Sequence, residues 1–182
     1  MKRMLALLIV LLLVPLSLHA QGTAPIVQIV YSPDGARAAS LDTDGIVRVW
    51  DGRAPRLITR IATNAIAIAL PDAETLVGLT RAGRLYRWTI ETRARTQLAD
   101  LEAAVDFFAF DEQGTRLAVS MCTADIEPCP AFALRLVDIA GGAFSEPLMT
   151  SASLITAAAF HPSGDLITVG TDDGNLVMLP IP

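Results

Sequence analysis

Histidine, cysteine and long apolar runs are scarce in these 182 residues, and each scarcity narrows what the chain can do. There are two cysteines and two histidines. They do not fit a four-ligand zinc site, which takes paired Cys and His at short spacings. No G-x-G-x-x-G, Walker or H-E-x-x-H pattern occurs, so the sequence lends no support to dinucleotide, nucleotide-phosphate or metalloprotease chemistry. No N-x-S/T sequon is present. Outside the opening segment no stretch keeps a long 3.6-residue apolar period, which excludes helical solenoids.

The one long apolar run is "MKRMLALLIVLLLVPLSLHAQ" at the start. Lys2 and Arg3 form a positive head, Met4 to Val14 an apolar stretch, and Pro15 breaks it before the polar exit "SLHA". The eleven apolar residues before the proline fall well short of the roughly 20 that a spanning helix needs. Residues 1–20 therefore read as a secretory signal cleaved after Ala20, leaving 21–182 as an exported domain, periplasmic or extracellular. The alternative is an anchor left uncleaved, which would be the chain's only membrane contact.

Acidic groups outnumber basic ones 19 to 14, and losing Lys2 and Arg3 with the leader widens the gap. Such a chain repels phosphate backbones, so nucleic acid is not an expected partner. The only stretch resembling a nucleic-acid stripe, "RAGRLYRWTIETRAR" (81–95), interleaves arginines with Tyr86 and Trp88, and reads as a solvated strand pair.

Cys122 and Cys129 stand in "MCTADIEPCP" with six residues between them, a loop that a disulfide can close in an oxidising compartment. Closure of so short a loop is worth about 2.5 kcal/mol in the chain-entropy account, enough to steady the loop but not the domain.

The remainder repeats. "VYSPDG" (30–35), "ALPDAE" (69–74), "AFDEQG" (109–114) and "AFHPSG" (159–164) recur along the chain, and Tyr31, Ala69, Phe110 and Phe160 are read as one column. Trp50, Trp88, Val137 and Leu179 then follow at 19, 19, 27 and 19 residues, and the eight extra residues of the third unit coincide with the cysteine loop. Within the first unit a strand "IVQIVYS" meets the turn "PDG", a strand "RAASLD", the turn "TDG", a strand "IVRVWD" and, after "GRAP", a fourth strand "RLITRI". Proline presets the first turn dihedral and glycine accepts positive φ, so each turn has a mechanical cause. Apolar residues on both faces suit a sheet packed between two others. Repeats of about 38 to 50 residues holding several short strands have the length of propeller blades.

"SPDGARAASLDTDGIVRVWD" closely resembles a WD-repeat unit, with Trp50 and Asp51 as the naming dipeptide. The resemblance spans residues 26–181 and weakens along the chain: "RLYRWTI" has Thr89 for the aspartate, "LRLVDIA" keeps Asp138 but has Val137, and "LVMLPIP" keeps neither. It implies an all-β propeller of four WD-like four-stranded blades, at about 26–61, 64–101, 104–149 and 153–181. The last blade would lack its outer strand. In the first blade Asp44, Ser40 and Trp50 would supply part of the family's Asp, His, Ser and Trp hydrogen-bond network. Ring closure has three candidate outcomes: a homodimer pairing two four-blade arcs, a piece of a longer or split propeller forming an incomplete ring, or a tight four-bladed monomer.

Chemistry finds little purchase. His161, in "FHPSG", occupies the turn column of Ser32 and reads as turn filler rather than as a catalytic base. Asp42 with Asp44, and Asp172 with Asp173, precede glycines and could suggest calcium, but the EF-hand pattern is not completed and Asp-Gly is an ordinary hairpin pair. No metal, cofactor or catalytic residue is assigned. The resemblance favours a non-enzymatic scaffold binding a protein or peptide; the alternative is a small-molecule-binding or enzymatic exported propeller. Candidate binding positions are the turns between second and third strands: Asp42, Asp44, Arg81, Arg84, Asp125, Glu127, Asp172 and Asp173, with the disulfide loop as the only long insertion.

Intact-mass spectrometry of the protein from an envelope fraction tests the export reading. The expected N-terminus lies at or near Gln21, with a mass lowered by two hydrogens for the Cys122–Cys129 bond. Free thiols or a start at Met1 would contradict it.

Overall fold

The computed structural model describes residues 24–124 and 126–182. The signal segment and Asp125 fall outside the described residues. Four antiparallel sheets follow one another along the chain, with no helix among the described residues. Blade 1 is β1 (Ile26–Tyr31), β2 (Arg37–Asp42), β3 (Ile46–Asp51) and β4 (Leu57–Ala62). Blade 2 is β5 (Ala65–Ala69), β6 (Thr75–Thr80), β7 (Arg84–Thr89) and β8 (Arg95–Asp100). Blade 3 is β9 (Phe107–Phe110), β10 (Arg116–Cys122), β11 (Phe132–Asp138) and β12 (Met149–Ser151). Blade 4 has three strands, β13 (Ile155–Phe160), β14 (Leu166–Thr171) and β15 (Leu176–Pro180). Each sheet is a meander in which sequence neighbours pair.

The repeat column holds with one correction. Tyr31 pairs with Ala38 and Ala38 with Trp50; Phe110, Leu117 and Val137 align likewise, as do Phe160, Ile167 and Leu179. In blade 2, however, Ala69 pairs with Val77, and Trp88 with Leu76. The residue that joins Trp88 in the core is Leu70, one position beyond the expected Ala69. The β5–β6 turn is a residue tighter than its counterparts, so the equal spacing seen in the sequence conceals a one-residue offset. In a strand such an offset exchanges the two faces.

The core lies between the sheets. One cluster joins blades 1 and 2 through Leu41, Val47, Val49, Ile68, Leu76 and Trp88. A second joins blades 2 and 3 through Val77, Leu79, Leu85, Leu117, Val119 and Val137. A third joins blades 3 and 4 through Ala118, Leu134, Leu136, Ile155, Ile167 and Val169. Alternate residues of one strand therefore serve two different cores, as Leu117 and Ala118 do, which is why the sequence reads apolar on both faces. Polar ties cross each joint as well. The Gln28 amide donates to the Ile68 carbonyl (3.0 Å) and accepts from the Ile68 N–H (2.8 Å). Arg87 donates to the Ile139 carbonyl (2.8 Å), and Arg116 to that of Gly164 (2.6 Å) while stacking over Phe160.

Four blades make three joints, and the outward faces of blades 1 and 4 share none of these clusters. Tyr31 is 62% exposed at one end and Met178 66% exposed at the other. The described residues form an open arc.

Two turn glycines separate backbone strain from steric clash. Gly35 and Gly83 have φ of +66° and +77°, but a Cβ at Gly35 would meet nothing within 4 Å while one at Gly83 would lie 2.3 Å from the Ala103 carbonyl oxygen. Gly35→Ala should cost about 1–2 kcal/mol, the left-handed penalty alone. Gly83→Ala should cost clearly more in urea unfolding, because the connection to blade 3 must also shift; equal costs would contradict the packing described.

Candidate functional site

The β2–β3, β6–β7, β10–β11 and β14–β15 turns share one edge of the arc with the connections that lead from blade to blade. Short bonds hold the two sets together. The Thr63 hydroxyl donates to the Gly45 carbonyl (2.8 Å), the Leu101 N–H to that of Gly83 (3.0 Å) and the Asp172 N–H to that of Leu154 (2.9 Å). Gly45 and Gly83 approach this neighbouring backbone so closely that a side chain would prevent it, whereas Gly174 faces open space.

Along this edge the expected positions are distributed blade by blade. Asp44 and Arg81 are exposed turn residues. Arg84 pairs with Asp100 at 3.3 Å on the surface, a contact worth at most about 1 kcal/mol. Asp172 is exposed. Asp173 accepts from Thr171, Ser153 (2.9 Å) and Asn175, and these donors, the Thr171 hydroxyl first, hold its carboxyl below the usual value of 3.8. Glu127 lies in the loop closed by Cys122 and Cys129, whose sulfurs are 2.08 Å apart, at disulfide distance.

That loop forms one wall of an open cleft of about 540 Å³. The facing wall is the connection from blade 2 to blade 3, with Glu102, Ala103 and Asp106 opposite Thr123, Ile126 and Glu127. Ile126 is 61% exposed. The cleft therefore joins an uncovered isobutyl-sized apolar group to three carboxylates, a surface suited to a segment carrying both an apolar side chain and positive charge. Glu102, Asp106 and Ile126 were not among the expected residues. Residues 102–106 meet the loop only after two blades have stacked, and nothing local in the sequence signals that.

Asp42 plays a different part. It is 2% exposed, its Oδ2 accepts from Arg48 at 2.7 Å, and its Oδ1 accepts from the N–H groups of Asp44 (3.1 Å) and Ile46 (2.9 Å). Trp50 Nε1 donates to Ser40 Oγ at 3.3 Å. The Ser40–Trp50 contact expected from the resemblance thus forms, whereas the buried carboxylate of this turn is Asp42 rather than Asp44, and it bonds a buried arginine instead of joining Ser40 and Trp50. The reason is positional: Asp42 ends β2 directly beside β3, while Asp44 sits at the turn apex facing water. Burial pushes the Asp42 carboxyl up, but the Arg48 bond and the two N–H donors outweigh it, leaving the group below its ordinary value.

His161 lies in the exposed β13–β14 turn with its Nδ1 2.5 Å from Ser163 Oγ. The Ser163 hydroxyl donates its one proton to Asp165, so it has none to give the imidazole, and the order of groups is not that of a relay in which a carboxylate orients the histidine. The same turn in blade 1 pairs Ser32 with Asp34 at 2.6 Å, marking the arrangement as a turn device. Among the described residues no group of three or more His, Cys, Asp or Glu side chains is placed to hold a metal ion. No described helix is long and apolar enough to cross a membrane.

Comparison with known proteins agrees with this geometry. A family model described as "WD domain, G-beta repeat" matches residues 13–51 and 145–178, covering the first three strands of blade 1 and most of blade 4. No curated protein matches the chain. Among solved structures, the computationally designed Ika4 protein superposes with a TM-score of 0.63 at 18% identity, covering 90% of this chain and 95% of that one. The C-terminal WD40 domain of Sif2 superposes with a TM-score of 0.64 at 14% identity, covering 89% of this chain but only 47% of that one. At these identities the likeness concerns the fold, and the chain spans about half the length of the Sif2 domain.

The Asp42–Arg48 pair yields a test. Asp42→Ala should destabilise by about 3–5 kcal/mol, because it strands a buried guanidinium, and Asp42→Leu combined with Arg48→Met should recover most of that loss. The folded-state pKa of Asp42 is depressed, so its stabilisation is fully present above about pH 4 and is lost as pH falls through the lower folded value. Urea unfolding should show a steeper acid loss in the unaltered protein than in the double variant. Equal slopes would contradict this role.

Proposed function

We propose that this four-bladed chain, whose first and fourth blades match a WD-repeat model, works outside the cytoplasm as a non-enzymatic scaffold. It holds a protein or peptide segment in the cleft between the Cys122–Cys129 loop and the connection from blade 2 to blade 3. The observation that carries this reading is Ile126, 61% exposed beside Glu102, Asp106 and Glu127 on the edge where the repeat turns gather. An exposed branched side chain held on a short covalently closed loop loses little freedom on binding, so contact with it is not offset by ordering entropy. The surrounding carboxylates favour a basic segment and disfavour an acidic one. The two cysteines at disulfide distance and the leader-like opening support an oxidising, exported setting. A propeller suits the task because its strands are fixed by packing while its turns are free to vary.

Replacing Thr123–Pro128 by a short Gly-Ser link tests it in a pull-down from an envelope fraction. Binding should fall at least about tenfold, with unfolding temperature changed by only a few degrees, since the loop lies outside the three core clusters. Ile126→Asp should weaken capture in the same direction. Undiminished capture by both variants would remove the cleft from consideration.

A further inference from the structure

Among the described residues, blades 1 and 4 each bury one face and leave large apolar side chains of the other exposed. On blade 1 the bare face carries Ile29 and Tyr31 of β1, 65% and 62% exposed, with Trp50 half-buried beside them. On blade 4 it carries Leu176 and Met178 of β15, each 66% exposed, over Ala157, Ala159 and Gly170. These are the two halves of a joint that the chain already makes three times. Blade 2 turns Ile68, Leu70 and Trp88 toward blade 1, and in the repeat register Ile29, Tyr31 and Trp50 are their counterparts. Blade 1 turns Val30, Ala39 and Leu41, with Val47 and Val49, toward blade 2. Their counterparts on blade 4 are Ala159, Thr168 and Gly170, with Leu176 and Met178.

We propose that the two bare faces meet in a second copy of this chain. Blade 4 of one copy stacks on blade 1 of the other and the reciprocal joint forms at the far side, so that two arcs close into one ring of eight blades. Three observations select this occupant. The joint continues an interface whose two halves are both present and both unused. The sizes are complementary, since one end projects Ile29, Tyr31 and Trp50 while the other is floored by Ala157, Ala159 and Gly170. The curvature also fits: almost the whole arc superposes on 47% of the Sif2 domain, so two such arcs have the extent of one complete domain of that kind. A two-fold axis makes both joints identical and leaves neither end face uncovered, whereas a head-to-tail arrangement whose rotation does not close continues as a filament. Closure would also move Trp50 into the environment that Trp88, 3% exposed, already has.

Light scattering on the purified protein at micromolar concentration is the test, with Tyr31→Glu and Met178→Lys as variants. Both side chains stand on bare faces, so either substitution leaves the three internal cores intact. The unaltered protein should have the mass of two chains and shield both tryptophans from iodide. Each variant should have the mass of one chain, with association weakened by at least about 30-fold, and one tryptophan open to iodide. An equimolar mixture of the two should return to two chains, because in a mixed pair one joint is unaltered and the other sets glutamate against lysine; a variant that had merely misfolded would not be rescued. A one-chain mass for the unaltered protein, an assembly larger than two, or a two-chain mass that neither substitution lowers would overturn the proposal.

Discussion

Every part of this structure depends on sheets that are apolar on both faces and must be covered on both. A lone four-stranded meander of this composition would leave two greasy surfaces in water, and burying them against neighbouring blades is the main favourable term in the fold. Leu117 and Ala118 show the consequence at the level of single residues, adjacent in β10 yet fully buried in two different cores. The polar ties at Gln28, Arg87 and Arg116 set the angle of each joint rather than its strength, since each reaches backbone groups of the next blade. Stability in such an array is a sum of unit and neighbour terms, and the blades with two neighbours hold the most.

The edge that carries the turns is a by-product of that stacking. Because the sheets meet face to face, their turns and connections are brought to one rim, where Gly45 and Gly83 let backbones touch. The rim is rigid at each glycine and variable between them. Inserting the cysteine loop into blade 3 therefore leaves the cores intact and creates the open cleft between that loop and the connection from blade 2. Local chemistry at the rim is confined to turn devices such as Ser32–Asp34 and His161–Ser163–Asp165.

Much of the fold was legible because turn chemistry and alternation are local signals. "SPDG" and "TDG" announce their hairpins by residue type, and the recurrence of the Trp50 column announces a repeat. The offset at Leu70 was legible in part: "ALPDAE" set on "VYSPDG" places Leu70 opposite Tyr31, and only the equal spacing of Ala69 to Trp88 favoured the neighbouring residue over the tighter β5–β6 turn that pairing shows. Asp42 and Asp44 were confused for a related reason, as both precede the same glycine and only Asp42 lies within β2, paired with Ile26 of β1 and bonded to buried Arg48. The cleft was half legible. Its loop could be found from the spacing of two cysteines, but its opposite wall at Glu102 and Asp106 is assembled by long-range packing. Uncovered ends followed from the count of four blades, but not which residues they carry, since Ile29, Tyr31 and Trp50 read like any other core positions of a blade.

Native-state hydrogen exchange, resolved by strand, bears most directly on the claim that neighbouring blades stabilise one another through both faces. At a concentration where the protein is a single chain, amides of β6 and β10 in the two inner blades should exchange slowest, opening only with global unfolding, while β2 and β14 in the end blades open at lower free energy. Raising the concentration should bring the end blades toward the protection of the inner ones. Equal protection of all four blades in the single chain would contradict the account, because it would mean that a blade needs no neighbour on its second face.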